Sequence, residues 1–388
     1  MAISPVTSVI PVLTNKSENK KENKITNPVV QNGQNTDYKI SSNALTAYFK
    51  AGQALSFKGF DCETSQFVTK RLHDVPCCCC GGKMILSWNM GRKAKDFSNL
   101  KGEALADKIE NNQDYFRTTE RMIANLAADK ARQNPQMSLA KAVQSLEPDL
   151  KDLTIDYCVK HLNNANAIAQ KATGNKENPI SVLINKEIEK VRDGKISRVD
   201  FTEKLSLCKG IVDNENYIKI QEQVLNMPEN YSCVSARYSE IYGDNSQETA
   251  KELLRPSLQT IEHIHPKSLG GPNASQNYIA ECYQCNNPRG NMPYAEWLKI
   301  HPEYPINAQK HIEYFQQQQI EGAIPAEYDT YPVEVRETLS QESNGRMQLK
   351  VLNPQKIAEL REAHKRGKEV NVHDEIEKQE VNKESQEA

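Results

Sequence analysis

The sequence predicts a mainly α-helical protein with a small α+β core, which zinc holds together and a helical insertion divides. Apolar residues recur at helical spacing between about residues 100 and 250. Two short apolar stretches, at 259–268 and 276–286, are separated by a loop rich in Gly, Pro and Asn and are typical of strands. Two Cys-x2-Cys pairs lie on either side of the helical segment. A single metal site built from both pairs would bring the ends of that segment together.

The composition indicates a soluble protein with a modest hydrophobic core. The chain has 388 residues, a formal net charge of −2 and 38% hydrophobic residues, and this length predicts two or three domains. The near-neutral charge excludes a global field that attracts nucleic acid, so such binding requires a local basic patch. No apolar run reaches the roughly 18 residues of a membrane span, and no basic segment precedes the apolar N-terminal stretch. We therefore expect a cytoplasmic protein without a signal peptide or a membrane partner, with non-classical secretion as a toxin as the alternative. No pattern indicates an oligomeric state.

Changes in composition divide the chain into six segments with disordered termini. The polar N-terminal tail and the charged C-terminal tail are almost free of aromatic residues, which predicts disorder. The segments are a disordered tail at 1–40, a helix, a strand and the first cysteine pair at 41–98, a helical insertion at 99–250, both strands with the second cysteine pair at 251–302, a helical extension at 303–350 and a charged tail at 351–388.

Four secondary-structure elements are predicted within these segments. Imperfect alternation in the stretch 65–77 predicts a strand that leads into the first cysteine pair. Within the insertion, one set of apolar residues has the spacing of a single helix face. That set is Leu105, Ile109, Phe116, Ile123 and Leu126. Two further helices are predicted within 288–302 and 307–322, the first with Trp297 and Leu298 facing the core.

Six of the ten cysteines lie in two clusters, residues 77–80 and the pair Cys282 and Cys285. Cys77 and Cys80 have the same spacing as the second pair, and the glycines that follow them permit a tight turn. The two pairs together supply the four thiolates of a structural zinc site, because the entropy of closing a long loop grows only slowly with its length. Cys78 or Cys79 could replace one of the outer residues.

Two other interpretations of the run of four cysteines are palmitoylation and a redox-active disulfide between neighbours, although neither explains the second pair. The remaining cysteines have no partner at metal-binding spacing and are expected to pack as small apolar residues. They are Cys62, Cys158, Cys208 and Cys233.

Residues 261–290 resemble the HNH endonuclease family, which has a ββα-metal nuclease fold. The family pattern is an acidic residue before His, then Pro, a Gly-rich loop, Asn, Cys-x2-Cys-Asn and a basic residue. The matching residues are Glu262, His263, Pro266, Gly270, Gly271, Asn277, Cys282, Cys285, Asn286, Arg289 and Gly290. The resemblance implies a metal-dependent endonuclease that hydrolyses phosphodiester bonds of nucleic acid, with DNA favoured over RNA and with the zinc as a structural ion.

The resemblance also implies the roles of the central residues. His263 would be the general base, because histidine exchanges protons near neutral pH. Glu262 and Asn286 would hold the catalytic ion, and their oxygen ligands suit Mg²⁺ or Mn²⁺. Asn277 would orient the backbone around His263. The acid here is Glu where Asp is commoner in the family, which moves the carboxylate about one bond further out.

The flanking residues are candidates for further contacts. His265 lies two residues after His263 in the predicted strand and therefore on the same face, so it could be an additional ligand or the base itself. Arg289 is a candidate catalytic residue, and both Lys267 and Arg289 could bind phosphate groups of the substrate. The basic run at 91–96 is either a second contact with the nucleic acid backbone or a solvated loop. A different function also fits the sequence, namely a non-catalytic zinc module that binds nucleic acid or protein through its helical region.

Overall fold

The computed structural model describes residues 67–387, except for the side chains of Ile300 and of residues 382–387. Three predictions lie outside the described residues: the tail at 1–40, the helix that begins the segment 41–98, and the packing of Cys62. Helices dominate the described part, as the sequence predicted. They are α1 (Met90–Ser98), α2 (Gly102–Glu110), α3 (Thr118–Gln133), α4 (Leu139–Gln144), α5 (Leu150–Thr173), α6 (Pro179–Arg192), α7 (Arg198–Ser206), α8 (Asn214–Leu225), α9 (Tyr231–Ile241) and α10 (Ser246–Leu254).

A two-stranded sheet follows α10. Strands β1 (Gln259–His263) and β2 (Tyr278–Cys282) are antiparallel, with His263 opposite Tyr278 and Gln259 opposite Cys282. Both strands lie within the predicted stretches but are shorter, with five residues each. Every residue of β2 is buried. The chain then continues as α11 (Tyr283–Arg289), α12 (Tyr294–Ile300), α13 (Tyr304–Ile320), α14 (Tyr331–Glu342), α15 (Pro354–Lys365) and α16 (Val372–Glu387).

The buried hydrophobic residues of the described part form four clusters. One contains the sheet, the cysteines of both pairs and residues of α12, α13 and α14. A second joins α1–α4 to α9 and α10. A third is the interior of α5–α8. Within residues 67–387, no helix is both long enough and apolar enough to cross a membrane.

The predicted strand at 65–77 is wrong over the residues that the structure describes. A 3₁₀ turn occupies Val68–Arg71, and only Pro76 forms an isolated bridge, with Lys83. The apolar residues of this stretch, among them Phe67 and Val75, are buried, but they reach the core from a turn and a loop. Proline has no backbone N–H to pair, which limits strand formation beside it.

The prediction of one helix face from Leu105 to Leu126 is wrong, because its residues lie in two helices, α2 and α3, and in the loop between them, which contains Phe116. The chain leaves the first helix because polar side chains bond its last carbonyl groups. Asn112 donates to the carbonyl of Lys108 at 2.8 Å, and Gln113 donates to that of Ile109 at 3.0 Å. Such local bonds compete with continuation of a helix.

The C-terminal tail predicted to be disordered at 351–388 instead folds as α15 and α16 through residue 387. Asn353 caps α15 by accepting a bond from the backbone N–H of Lys356 at 2.8 Å. A fourth hydrophobic cluster attaches both helices to the end of α13. Its members are Ile320, Leu352, Ile357, Leu360, Val370, Val372 and Ile376. These few apolar residues suffice because they fall on the faces that meet α13, which overall composition does not reveal.

Candidate functional site

The two cysteine pairs meet at one point. Four sulfur atoms all lie within 4.8 Å of one another, those of Cys77, Cys80, Cys282 and Cys285. Four sulfurs bound tetrahedrally to a zinc ion at about 2.3 Å would be about 3.8 Å apart, and the Cys80 and Cys282 sulfurs are 3.8 Å apart. The group therefore fits a metal ion, and the predicted contact between the two pairs is confirmed.

Local turns position these ligands. The backbone N–H of Gly81 donates to the carbonyl of Cys77 at 2.9 Å, and that of Cys77 donates to the carbonyl of Gly82 at 2.9 Å. Gly81 has a φ of +71°, which explains the need for glycine at this turn. Cys282 ends β2, and Cys285 lies in the first turn of α11.

The inner cysteines of the run take no part in this group. The thiol of Cys78 lies 3.0 Å from the Tyr304 hydroxyl and 3.4 Å from a carboxylate oxygen of Glu281. The side chains of Cys77, Cys78 and Cys79 have no exposed surface, so an acyl chain could not be attached to them in this fold. The structure therefore favours a metal site over palmitoylation.

A buried polar cluster surrounds Cys78, and sequence reasoning missed it. Tyr304 donates to Glu281 at 2.8 Å, and Tyr294 lies within 3.4 Å of the same carboxylate oxygen. Burial raises the pKa of Glu281 to about 7, against the opposing effect of the Tyr304 and Cys78 hydrogen bonds. No motif marks these residues, since they come from separate segments of the chain.

Arg117, at the start of α3, is the second feature that the sequence did not indicate. Its guanidinium donates to the Cys282 sulfur at 3.2 Å and to the carbonyl groups of Asp114, Gly82 and Lys83 at 3.1, 3.3 and 3.0 Å. Burial lowers the pKa of Arg117, but the nearby thiols of Cys282, Cys80 and Cys77 raise it more, above its usual range. This arginine bonds both turns that carry the cysteine pairs.

Gly82 makes the approach of Arg117 possible. A Cβ atom at Gly82 would lie 2.4 Å from a guanidinium nitrogen of Arg117. Arg117 is 5% exposed, so its charge is offset by the thiols and carbonyl groups rather than by water. The pKa of Cys282 is held well below its ordinary value, because burial raises it less than the hydrogen bonds of the other cysteines and the charge of Arg117 lower it.

Glu262 and His263 lie at the end of β1. The ring of His263 is half-buried, packs edge-to-face on Tyr278 with centroids 4.9 Å apart, and places Nε2 at 3.2 Å from Oδ1 of Asn273. Glu262 is buried and forms an ion pair with Arg289. The strand thus ends with a half-buried imidazole beside a buried carboxylate.

Asn277 organises the loop that joins the two strands. Its amide nitrogen donates to the carbonyl groups of His265 and Pro272 at 3.0 and 2.9 Å, and its oxygen accepts from the backbone N–H of His265 at 2.7 Å. Its own carbonyl accepts from the N–H of Ile264 at 2.8 Å. These bonds fix the backbone immediately after His263.

Asn286 faces β1 from α11. Its amide nitrogen donates to Oγ1 of Thr260 at 3.0 Å and to the carbonyl of Ile261 at 3.2 Å. Arg289, one turn further along α11, reaches Glu262 on the same strand. Helix α11 therefore contacts β1 through both Asn286 and Arg289. The two bonds of Asn286 use its amide nitrogen and not its amide oxygen.

The flanking candidates differ from expectation. β1 ends at His263, so the prediction that His265 shares a strand face with His263 is wrong. Nδ1 of His265 lies 3.0 Å from a Glu342 oxygen, and Nε2 lies 3.2 Å from the Leu269 carbonyl. Both ring nitrogens therefore have partners. Lys267 is exposed in a 3₁₀ turn after Pro266.

Arg289 is placed differently from the predicted phosphate contact. Its side chain is 0% exposed. Its guanidinium donates to Glu262, to the carbonyl of His263 at 2.6 Å and to that of Met292 at 2.8 Å, and it stacks on the ring of Tyr294 at 4.5 Å. An arginine enclosed in this way supports the carboxylate and the strand end, and has no surface for a substrate phosphate.

Comparison with known protein families identifies this segment. Residues 249–292 match the model of the family described as HNH endonuclease, a match that begins in α10 and includes both strands and α11. Comparisons with curated proteins and with solved structures each gave no match. The family indicates nuclease-type activity in a broad sense and an interaction with nucleic acid. The chain therefore carries an HNH endonuclease domain match at residues 249–292, the segment that contains Glu262, His263, Asn277 and Asn286.

Proposed function

We propose that this protein is a metal-dependent endonuclease that hydrolyses phosphodiester bonds of nucleic acid, with DNA favoured over RNA. The observation that supports it best is the arrangement at the end of β1. A carboxylate, a half-buried imidazole and an amide from α11 lie on or against the same short strand, within the segment that matches the HNH family.

His263 is the general base of the proposed reaction. A base must reach the proton of the attacking water while its ring is held in one orientation. Packing on Tyr278 and the contact with Asn273 hold the ring, and part of it remains open to solvent. Asn277 is a positioning residue, since its three side-chain bonds fix the backbone that follows His263.

Glu262 and Asn286 would hold a divalent cation. One carboxylate and one amide oxygen are hard donors that suit Mg²⁺ or Mn²⁺. When bound, such an ion offsets the negative charge that develops on the phosphate and the leaving oxygen. Arg289 donates a hydrogen bond to the Glu262 carboxylate. This bond orients the carboxylate and therefore limits the directions from which a cation can approach it.

Zinc on Cys77, Cys80, Cys282 and Cys285 would be structural. Four thiolates complete a tetrahedral coordination shell and leave no open position for a substrate. The site would attach the turn after Pro76 to the strand and helix that carry the catalytic residues. The helices between the two pairs would then be an insertion within the nuclease core.

A nicking assay tests the proposal. Supercoiled plasmid is incubated with the purified full chain in Mg²⁺ or Mn²⁺, and bound zinc is measured in the same samples. His263→Ala should abolish nicking while zinc content and fold are retained, and His364→Ala, a change at an exposed histidine of α15, should cleave like the wild type. An RNA substrate in a parallel reaction determines which nucleic acid is preferred. The proposal fails if zinc-loaded wild-type protein cleaves neither nucleic acid in either cation.

The ion pair between Arg289 and Glu262 favours a second candidate function. The carboxylate expected to hold the cation already has a buried cationic partner. A non-catalytic zinc module that binds nucleic acid or protein would retain such a pair. In that case the wild-type protein would bind an oligonucleotide or a protein partner but would not nick plasmid at any cation concentration.

A further inference from the structure

Trp88 is exposed immediately before α1. It lies in a 3₁₀ turn, Ser87–Asn89, and is 62% exposed, whereas Trp297, the other tryptophan of the chain, is 3% exposed. Leu86 and Met84, just before the turn, are buried. The chain thus enters the turn from the core and presents an indole ring to solvent.

Two cationic residues follow Trp88 at helical spacing. Arg92 and Lys95 are exposed on α1, four and seven residues after Trp88, which places them on the same side of a helical turn. Arg92 donates to Oδ1 of Asn89 at 2.9 Å, and Nδ2 of Asn89 lies 3.0 Å from Nδ1 of the exposed His73. We name His73, Trp88, Arg92 and Lys95 the Trp88 patch.

The other charges around the patch leave it basic. Lys93, on the neighbouring face of α1, lies 3.5 Å above the ring of Tyr115. Asp74 accepts a hydrogen bond from the Tyr115 hydroxyl. Asp96 is exposed on α1. An aromatic ring flanked by an arginine and a lysine is the combination that stacks nucleobases while it attracts the phosphates between them.

Backbone bonds connect the patch to the strand of the candidate catalytic residues. The N–H of Ile85 donates to the carbonyl of Ser257 at 2.8 Å, and the N–H of Gln259 donates to the carbonyl of Ile85 at 2.9 Å. β1 begins at Gln259 and reaches His263 four residues later, a distance of about 13 Å along an extended strand. The turn with Trp88 begins two residues after Ile85, so it is anchored on the start of that strand.

We propose that the Trp88 patch binds single-stranded nucleic acid, with one unpaired base stacked on Trp88 and the flanking phosphates bound by Arg92 and Lys95. The base must be unpaired because a duplex covers the faces of its internal bases. The biological role of this binding rests on the proposed endonuclease function, because an unpaired segment bound here would select where the strand is cut. Binding itself is measured without cleavage.

Fluorescence anisotropy of a labelled single-stranded DNA oligonucleotide, titrated with the full chain in the absence of Mg²⁺ and Mn²⁺, tests the proposal. Trp88→Ala should weaken binding by about 5- to 150-fold, since one base–aromatic stack contributes about 1–3 kcal/mol. Trp88→Phe should retain most of the affinity. Arg92→Gln and Lys95→Gln should each weaken binding and reduce its dependence on salt. Leu207→Ala, a change at another exposed apolar side chain, 85% exposed and distant in sequence, is the matched control.

Intrinsic fluorescence gives a second measurement. Because Trp297 is buried, quenching by an unlabelled oligonucleotide reports mainly on Trp88, and Trp88→Phe should remove it. The proposal is overturned if Trp88→Ala binds as tightly as the wild type, or if a blunt duplex of the same sequence binds and quenches equally well.

The two proposals fail in different ways. If the wild type binds through Trp88 but nicks no substrate, the patch remains and the endonuclease is rejected. If the wild type nicks plasmid and Trp88→Ala binds normally, only the patch is rejected.

Discussion

Replacement of Arg117 by Gln is expected to weaken retention of the metal on the four cysteines by about 10- to 100-fold, although Arg117 is not a ligand. The guanidinium contributes one charged hydrogen bond to the Cys282 sulfur and bonds to three backbone carbonyl groups. A zinc ion bound by four thiolates would carry a net charge of about −2, and the positive charge of Arg117 would lie beside it.

The magnitude follows from these contacts. A charge-assisted hydrogen bond contributes about 1.5–3 kcal/mol, and about 1.4 kcal/mol corresponds to a tenfold change in affinity. Loss of the thiolate bond alone therefore predicts a loss of affinity of about one to two orders of magnitude. Loss of the bonds to the three carbonyl groups would also destabilise the fold, with or without the metal. The cost is about 1 kcal/mol for each carbonyl group that water does not reach. Arg117→Lys should restore the charge but only part of the bonding, because ammonium cannot span the same set of acceptors.

The assay is the transfer of zinc from the folded protein to a chromophoric chelator, with folding followed by circular dichroism. Arg121→Gln is the matched control. Arg121 lies one turn further along α3 and bonds Asn226 at 2.7 Å and the carbonyl of Phe116 at 3.1 Å. Its loss should destabilise the fold with little effect on zinc transfer. Equal transfer from the Arg117→Gln and Arg121→Gln proteins would refute the reasoning.

Two further predictions concern the loop after β1 and a buried histidine. Gly271→Ala should displace the loop and reduce nicking at least tenfold, because a Cβ there would lie 1.9 Å from the carbonyl oxygen of His265. The control is Gly91→Ala, where a Cβ would meet nothing within 4 Å, and it should leave nicking unchanged. Equal activity of the two variants would contradict this account. Burial lowers the pKa of His311 from 6.5 to about 4, while its ring donates to the carbonyl of Pro76 at 2.7 Å. As the pH falls, the unfolded chain therefore binds a proton at His311 before the folded chain does. The stability that neutral His311 contributes is complete above about pH 6.5 and falls by about 3 kcal/mol as the pH approaches 4. The free energy of urea unfolding should depend less on pH over this range in His311→Gln, and an unchanged pH dependence would exclude His311 as the cause.

The sequence was most informative where the chemistry depends on local spacing. Cys77 and Cys80 reveal their turn by the two residues between them, as do Cys282 and Cys285. Their meeting could be predicted because zinc requires four ligands. Both strands could also be predicted, since turn-forming residues bound them and the motif lies at their ends.

Contacts made by the tertiary fold were not predictable in the same way. Arg117 lies 165 residues before Cys282, to which it donates, and no spacing relates the two. Arg289 was expected to bind phosphate because a guanidinium can form two parallel hydrogen bonds with a phosphate group, but the fold encloses it against Glu262. The C-terminal helices were missed because a few apolar residues at the right positions outweigh a charged composition once α13 provides a surface.

The sequence separation of the two cysteine pairs has a consequence for biosynthesis. Cys80 and Cys282 are 202 residues apart, and at about 5–20 residues per second a ribosome needs roughly 10–40 s to synthesise that length. The interior of α5–α8 involves contacts that are closer in sequence, and such contacts form early. The first thiol pair must therefore wait, without its final partners, while a helical region folds behind it. During that interval its protection from oxidation would depend on the reducing power of the surrounding compartment, and we expect the four cysteines to come together late in the maturation of the protein.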